Sequence, residues 1–158
     1  MDPKTELPIA LRASYLTLHR RSDAIFAPHG VTADQFVLLA TLARGNALTQ
    51  RELAQRMDSD PSTVRAMLVL LEKHRLIRRE THPEDGRAKT VYLTPAGQRK
   101  FRSLWKAGER IREQMFRSLQ PGEAKTLVVL LKRITSALNP DLIRIGESIS
   151  QHPQEDQI

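Results

Sequence analysis

Apolar residues recur at helical spacing along most of the chain and give way to another period in one stretch only. Leu7, Leu11, Tyr15, Leu18 and Ile25 form a stripe over residues 7–26, with Ile9, Leu16 and Phe26 beside it. That is the spacing of an amphipathic helix. Pro28-His29-Gly30 breaks it. Val31-Thr32-Ala33-Asp34 opens a second helix, with Phe36, Leu39, Ala40, Leu42 and Ala43 as its buried side and Gly45-Asn46 as its stop. Thr49-Gln50-Arg51-Glu52 has the spacing of a capping box. The Thr49 hydroxyl can accept from the Glu52 N–H while the Glu52 carboxylate reaches back to the Thr49 N–H. The short helix that follows turns Leu53, Ala54 and Met57 inward. Asp60-Pro61 starts another at once, because aspartate is a good N-cap and proline loses nothing at the first helical position. Val64, Met67, Leu68 and Leu71 carry that helix to about His74.

The period then changes. Leu76-Ile77-Arg78-Arg79-Glu80 and Lys89-Thr90-Val91-Tyr92-Leu93 read as strands, joined by the polar stretch 81–88 with Pro83 and Asp85-Gly86. This predicts a β-hairpin with a long tip. Thr94-Pro95 repeats the cap-then-proline start and predicts one long helix to about Leu119, with Phe101, Leu104, Trp105, Gly108, Ile111, Met115 and Leu119 along one side. After Pro121-Gly122, residues 123–138 form a strongly apolar helix through Leu127, Val128, Leu130, Leu131, Ile134 and Leu138. A last short helix is expected over 141–149 and a disordered tail over 151–158.

Composition narrows what such a chain can do. Of 158 residues, 40% are apolar and 27% charged, enough for a packed core. No apolar run approaches the ~18 residues of a spanning helix, and Met1–Leu7 has no apolar signal region, so a cytoplasmic protein without membrane contact is expected. The absence of cysteine removes disulfides, Fe–S clusters, cysteine zinc sites and thiol catalysis together. The five histidines are scattered, with no paired metal-ligand spacing, and no phosphate loop or nucleophile elbow appears. No enzymatic activity, metal or cofactor is expected.

The formal charge is +7, and it is not evenly spread. Residues 1–43 are neutral, 44–90 carry +3, 91–117 carry +5 and 118–158 carry −1. A basic middle suggests a polyanionic partner. The order helix–helix–helix–strand–tip–strand is that of a winged helix-turn-helix. Its second turn-helix element can lie in a DNA major groove while the hairpin tip reaches the adjacent minor groove or a phosphate.

The residues are more specific than the order. Val31-Thr-Ala-Asp-Gln-Phe36, Leu48-Thr-Gln-Arg-Glu-Leu-Ala54, Asp60-Pro-Ser-Thr-Val64, Leu71-Glu-Lys73, Leu76-Ile-Arg-Arg79, Pro83-Glu-Asp-Gly-Arg-Ala-Lys89 and Leu93-Thr-Pro-Ala-Gly97 occur in this sequence order. Together they resemble the MarR family of bacterial transcription regulators, and with the flanking helices the resemblance spans about residues 7–138. It implies a homodimer whose first and last two long helices form a shared helical domain, from which winged domains read a pseudo-palindrome. The apolar circumference of helix 123–138 fits that, although an ordinary core helix would also be apolar. The chain departs from the family pattern at Pro61 and at Arg65-Ala66, which stand where a basic residue and a Ser-Arg pair are frequent, so the base preference is open. Arg75 stands where a glycine often ends the helix, and the turn is expected to differ there, since the left-handed conformation costs other residues.

On the helix from Asp60, the exposed side offers Ser62, Thr63, Arg65 and Ala66 to DNA; Arg65 can pair bidentately with guanine, while Ser62 and Thr63 either touch DNA or only satisfy first-turn N–H groups. In the wing, Asp85-x-Arg87 matches the family motif, which implies that Arg87 enters the minor groove and Asp85 helps hold the tip. A guanidinium suits the negative potential of a narrow A·T-rich groove. Lys89, Arg78 and Arg79 are phosphate partners or solvated strand residues, and Arg51 and Arg56 lie near the backbone path. The resemblance also implies a small effector between the helical and winged domains. Tyr15, His19, Phe36, Leu39, Arg102 and Trp105 are the candidates to line its site, an aromatic wall plus a cation suited to a phenolic acid.

The expected architecture is therefore mainly α with a small β-hairpin wing. It comprises an N-terminal dimerisation helix (1–30), a winged helix-turn-helix domain (31–94), C-terminal dimerisation helices (95–150) and a tail (151–158). The expected function is dimeric, sequence-specific transcriptional regulation through a double-stranded operator, a repressor released by a small ligand. A non-sequence-specific DNA-architectural protein is the alternative.

Overall fold

The computed structural model describes residues 2–45 and 47–139. They belong to two units that divide after Glu113. The first unit begins with α1 (Pro3–Phe26), four residues earlier than the apolar stripe suggests, because Asp2-Pro3 already supplies an extended N-cap and a proline at the first position. Only Phe26 of this helix is buried. A single 3-10 turn over Ala27–His29 and a left-handed Gly30 end it. Next comes α2 (Ala33–Gly45). Its start is a reciprocal cap: Thr32 Oγ1 accepts from the Gln35 N–H and Gln35 Oε1 accepts from the Thr32 N–H, both at 3.1 Å. Asp23 of α1 accepts from the Ala33 N–H at 2.7 Å and so fixes the entry of α2.

The capping box at Thr49 forms as its spacing predicts, with Glu52 N–H to Thr49 Oγ1 at 3.1 Å and Thr49 N–H to Glu52 Oε2 at 2.8 Å. It opens α3 (Gln50–Arg56). After a turn through Asp58, α4 (Pro61–Lys73) starts at the Asp60 cap. Its buried residues are Val64, Met67, Leu68 and Leu71. The end of α4 is a Schellman turn: Leu76 N–H bonds the Leu71 carbonyl and Arg75 N–H the Glu72 carbonyl, each at 2.9 Å. The turn thus keeps the usual geometry, and Arg75 takes the left-handed position itself, at φ 60°.

Strands β1 (Leu48–Thr49), β2 (Ile77–Thr81) and β3 (Lys89–Leu93) make one antiparallel sheet in the order β1-β3-β2. Ile77 faces Leu93, Arg79 faces Val91 and Thr81 faces Lys89, while Leu48 pairs with Val91. Two-residue β1 is too short to show a period of its own. Leu38, Leu39, Leu42, Leu53, Val64, Leu68, Leu71, Ile77, Val91 and Leu104 share one core.

The expected single helix from Pro95 to Leu119 is two helices, α5 (Pro95–Ala107) and α6 (Glu109–Arg117). The apolar stripe continues across the break, but Gly108, a poor helix former, lies at its centre. Thr94 caps α5, accepting from the Gly97 N–H at 2.9 Å while donating its hydroxyl to the Arg75 carbonyl at 2.7 Å. Gly97 is required by close approach, since a Cβ there would fall 1.9 Å from the Leu76 carbonyl oxygen.

The second unit contains the end of α6 and α7 (Glu123–Leu138), preceded by Pro121 and left-handed Gly122. Glu123 seals the turn by donating its N–H to the Gln120 carbonyl and accepting from the Gln120 N–H. No residue of α7 is buried. The helix expected over 141–149 and the tail over 151–158 lie outside the described residues. No single helix among the described residues is long and apolar enough to cross a membrane.

Candidate nucleic-acid interface

The cap of α4 sets the geometry of its exposed side. The Asp60 carboxylate accepts from the Ser62 N–H at 3.0 Å and the Thr63 N–H at 3.1 Å, and also from the Ser62 hydroxyl. The Ser62 hydroxyl, followed by the Thr63 N–H, holds the Asp60 carboxyl below the ordinary carboxylate range. Ser62 and Thr63 are therefore engaged in closing the first turn. Arg65 and Ala66, one residue further round, are exposed.

The wing tip is organised by its own side chains. His82 N–H bonds the Ala88 carbonyl and Ala88 N–H the Asp85 carbonyl, both at 3.0 Å. His82 Nδ1 accepts from the backbone N–H groups of Glu84 and Asp85 at 3.2 Å. Asp85 Oδ1 accepts from the Arg87 N–H at 3.0 Å, an Asx-type closure that leaves the exposed Arg87 guanidinium directed by the turn rather than by an ion pair with Asp85.

Between α4, the start of α3 and the wing lies a cavity of about 830 Å³. Of the residues expected to meet DNA, it gathers Arg51, Arg65, Asp85, Arg87 and Lys89, together with Arg79. Ser62, Thr63 and Ala66 are not among its lining residues and lie along the exposed side of α4. Thr49, Gln50, Val69 and His82 also line it and were not anticipated. Gln50 follows the capping Thr49, and Val69 lies four residues beyond Arg65, so helical spacing alone could have found Val69.

Arg78 and Arg79 of β2, expected as phosphate partners or solvated strand residues, both have partners within the chain. Arg79 Nε and Nη2 donate to Glu72 of α4 at 3.0 and 2.5 Å, and Nη1 to Gln50 of α3 at 3.4 Å. The Arg79 hydrogen bond holds the Glu72 carboxyl below its ordinary range, with a smaller contribution from Lys89. Arg79 is thus a strut between wing, α3 and α4. Arg78 pairs with Glu80 and lies 4.3 Å over the Tyr92 ring. Lys89 reaches Thr81 Oγ1 at 3.3 Å. The positive charge turned to the cavity comes chiefly from Arg51, Arg65, Arg87 and Lys89.

The six residues expected to line an effector site fall into four places. Tyr15 and His19 lie with ring centroids 5.6 Å apart on α1. His19 also spans two acids, Nδ1 to Asp23 and Nε2 to Asp34, at 3.4 Å each. Phe36 belongs to an aromatic stack, 4.5 Å from Phe26, 6.0 Å from Phe101 and 6.5 Å from Trp105. Arg112 covers the indole at 3.8 Å and donates to the Trp105 carbonyl at 2.7 Å. Arg102 lines a separate hollow of about 300 Å³ with Leu42, Ala43, Leu93, Gln98 and Phe101. Leu39 is a correction: it is 0% exposed and its whole side chain is committed to the core.

The chain is similar in sequence and fold to known proteins. Residues 29–88 match the model of the MarR family. A putative transcriptional regulatory protein for the hcr operon of Thauera aromatica is 32% identical over 130 residues, covering 82% of this chain and 78% of that protein. The transcriptional repressor MdtR of Bacillus subtilis is 30% identical over 100 residues, 63% of this chain and 64% of that one. Among solved structures, Bordetella bronchiseptica BpsR, whose DNA binding is regulated by 6-hydroxynicotinic acid, superposes with a TM-score of 0.69 at 28% identity, over 82% of this chain and 98% of BpsR.

Proposed function

The chain belongs to the MarR family of transcriptional regulators, and from that premise we propose that it is a dimeric, sequence-specific repressor released by a small ligand. The observation that carries this reading is the cavity between α4 and the wing, where Arg51, Arg65, Arg87 and Lys89 converge. In this reading α4 enters a major groove, and Arg65 meets base edges. Arg87 enters the neighbouring minor groove, while Arg51 and Lys89 take the phosphates between them. Ser62, Thr63 and Ala66 approach the same groove along the exposed side of α4, with Asp85 shaping the tip.

Dimerisation is assigned to residues 1–30 and 95–150, flanking the DNA-binding segment 31–94. Two observations support it. In the first unit, α1 exposes Leu7, Ile9, Tyr15 and Leu18. In the second, α7 exposes Leu127, Val128, Val129, Leu130, Leu131 and Leu138. Apolar stripes of that extent mark association surfaces in water. Repression is supported by the similarity to MdtR, and a ligand of the aromatic-acid class by the similarity to BpsR. For that ligand we assign Tyr15, His19, Phe36, Trp105 and Arg102. A ligand works by favouring a dimer geometry in which the two α4 helices no longer match half-sites ~34 Å apart.

Footprinting on duplexes selected from the host promoter regions tests the proposal. A discrete protected palindrome is expected, and Arg87→Ala lowers affinity by about ten- to a hundredfold with the melting temperature unchanged. Uniform coating of the duplex would support an architectural protein instead, and an undiminished Arg87→Ala footprint would remove the wing from the interface.

A further inference from the structure

Val69 and Leu70 are the exposed large apolar residues of α4, and of the two Val69 lines the basic cavity. The buried side of the helix is complete with Val64, Met67, Leu68 and Leu71. Val69 lies on the other side, 50% exposed, and lines the same basic cavity as Arg65 and Arg87. Ala66, three residues earlier, is exposed as well. An apolar strip therefore runs beside Arg65 on the side of the helix that carries the cations. A β-branched side chain is stiff and loses little rotamer freedom when it is covered, and it offers neither donor nor acceptor.

The only apolar substituent on the major-groove edge of a base pair is the C5-methyl of thymine; the polar groups beside it are donors or acceptors. We propose that Val69, with Ala66 beside it, reads a thymine methyl in each operator half-site. This rests on the DNA-binding reading above and adds a base identity to it. Four residues of helix rise about 6 Å, close to two base-pair steps at ~3.4 Å each. The thymine therefore lies within about two base pairs of the base that Arg65 meets. Arg51 and Lys89 take backbone phosphate on the wing side, and the strut Glu72–Arg79–Gln50 keeps that side fixed relative to α4.

The test uses the full chain. Duplexes are enriched from a random pool with the wild-type protein, and each thymine of the enriched site is then replaced by uracil, which differs only by the missing methyl. Dissociation constants are measured for wild type and for Val69→Ala, with melting curves to show that the variant is folded. One thymine per half-site is expected where uracil weakens the wild type about fourfold and leaves Val69→Ala unaffected. Wild-type indifference to every uracil replacement overturns the inference while leaving DNA binding intact. So does a variant that stays as sensitive as the wild type. Failure to enrich any duplex overturns the DNA-binding reading itself, and this inference with it.

Discussion

The segment from α2 to the start of α5 and the helices α1 and α7 solve the problem of apolar surface in opposite ways. In the segment, each helix turns its stripe onto a shared core, and the backbone groups at its ends find partners close by. Thr32–Gln35, Thr49–Glu52, Asp60 and Thr94 cap four helices in succession, and a three-stranded sheet closes one side. Of the twenty-four residues of α1 one is buried, of the sixteen of α7 none, and both helices leave large apolar side chains exposed. The middle is complete as one chain. Each of the two helices carries apolar surface that the described residues of its own unit leave exposed.

The sharpest way to break that comparison is to remove α7. Deleting residues 121–158 should abolish the dimer, and light scattering or analytical ultracentrifugation reads the outcome directly. The winged segment should keep its helical circular dichroism, because its core residues all lie before Ile111. A well-behaved dimer after the deletion would refute the assignment of the C-terminal helices to association.

The second prediction strikes at the self-sufficiency of the middle. Gly97 lies where α5 crosses the chain leaving α4, and an added Cβ would meet the Leu76 carbonyl oxygen, a backbone atom with little freedom to move. Gly97→Ala should cost about 3 kcal/mol, at the upper end of overpacking effects. That is about 10 °C in melting temperature for a chain of this size. Gly97 is buried and is not part of the exposed apolar faces of α1 and α7, so the association proposed for those faces should persist at temperatures where the variant is folded. A melting point within a degree or two of wild type would show that α5 can shift, and that the winged segment is looser than its capping suggests.

The same contrast explains what could be read from the sequence. Caps, proline starts and the wing strands are written in neighbouring residues, so Thr49, Asp60, Thr94 and the strands at 77–81 and 89–93 were legible. Features that depend on distant or hidden partners were not. Nothing near Arg79 in the chain announces that Glu72 and Gln50, seven and twenty-nine residues away, claim its guanidinium. The apolar stripe through Trp105, Gly108 and Ile111 concealed the break between α5 and α6, because amphipathicity is indifferent to a missing backbone bond. Leu39 has the same pattern whether it lines a cavity or fills a core, and only its neighbours decide. Of the residues proposed to face DNA, Arg51, Arg65 and Lys89 follow from charge and spacing, and Arg87 from the wing motif that the resemblance supplies. Val69, four residues beyond Arg65 and off the buried stripe, was within reach of helical spacing, but a reading guided by charge passes over an apolar residue.

The smallest expected effect comes from the end of α4, and it sharpens the comparison by strengthening the middle alone. Arg75 occupies the left-handed position of a complete Schellman turn, with both characteristic hydrogen bonds present. An L side chain pays about 1 kcal/mol for that conformation, which glycine adopts freely. Arg75→Gly should therefore stabilise the winged segment, net of the extra freedom glycine gains in the unfolded chain, by somewhat less than ~1 kcal/mol. Thr94, whose hydroxyl donates to the Arg75 carbonyl, keeps that bond, because only the side chain of residue 75 is removed. Denaturant unfolding gives the sign: a rise in midpoint at unchanged slope is expected, with the dimer dissociation constant unaltered. A fall in midpoint would mean that the Arg75 side chain holds the turn between α4 and β2 more strongly than its backbone strain opposes it.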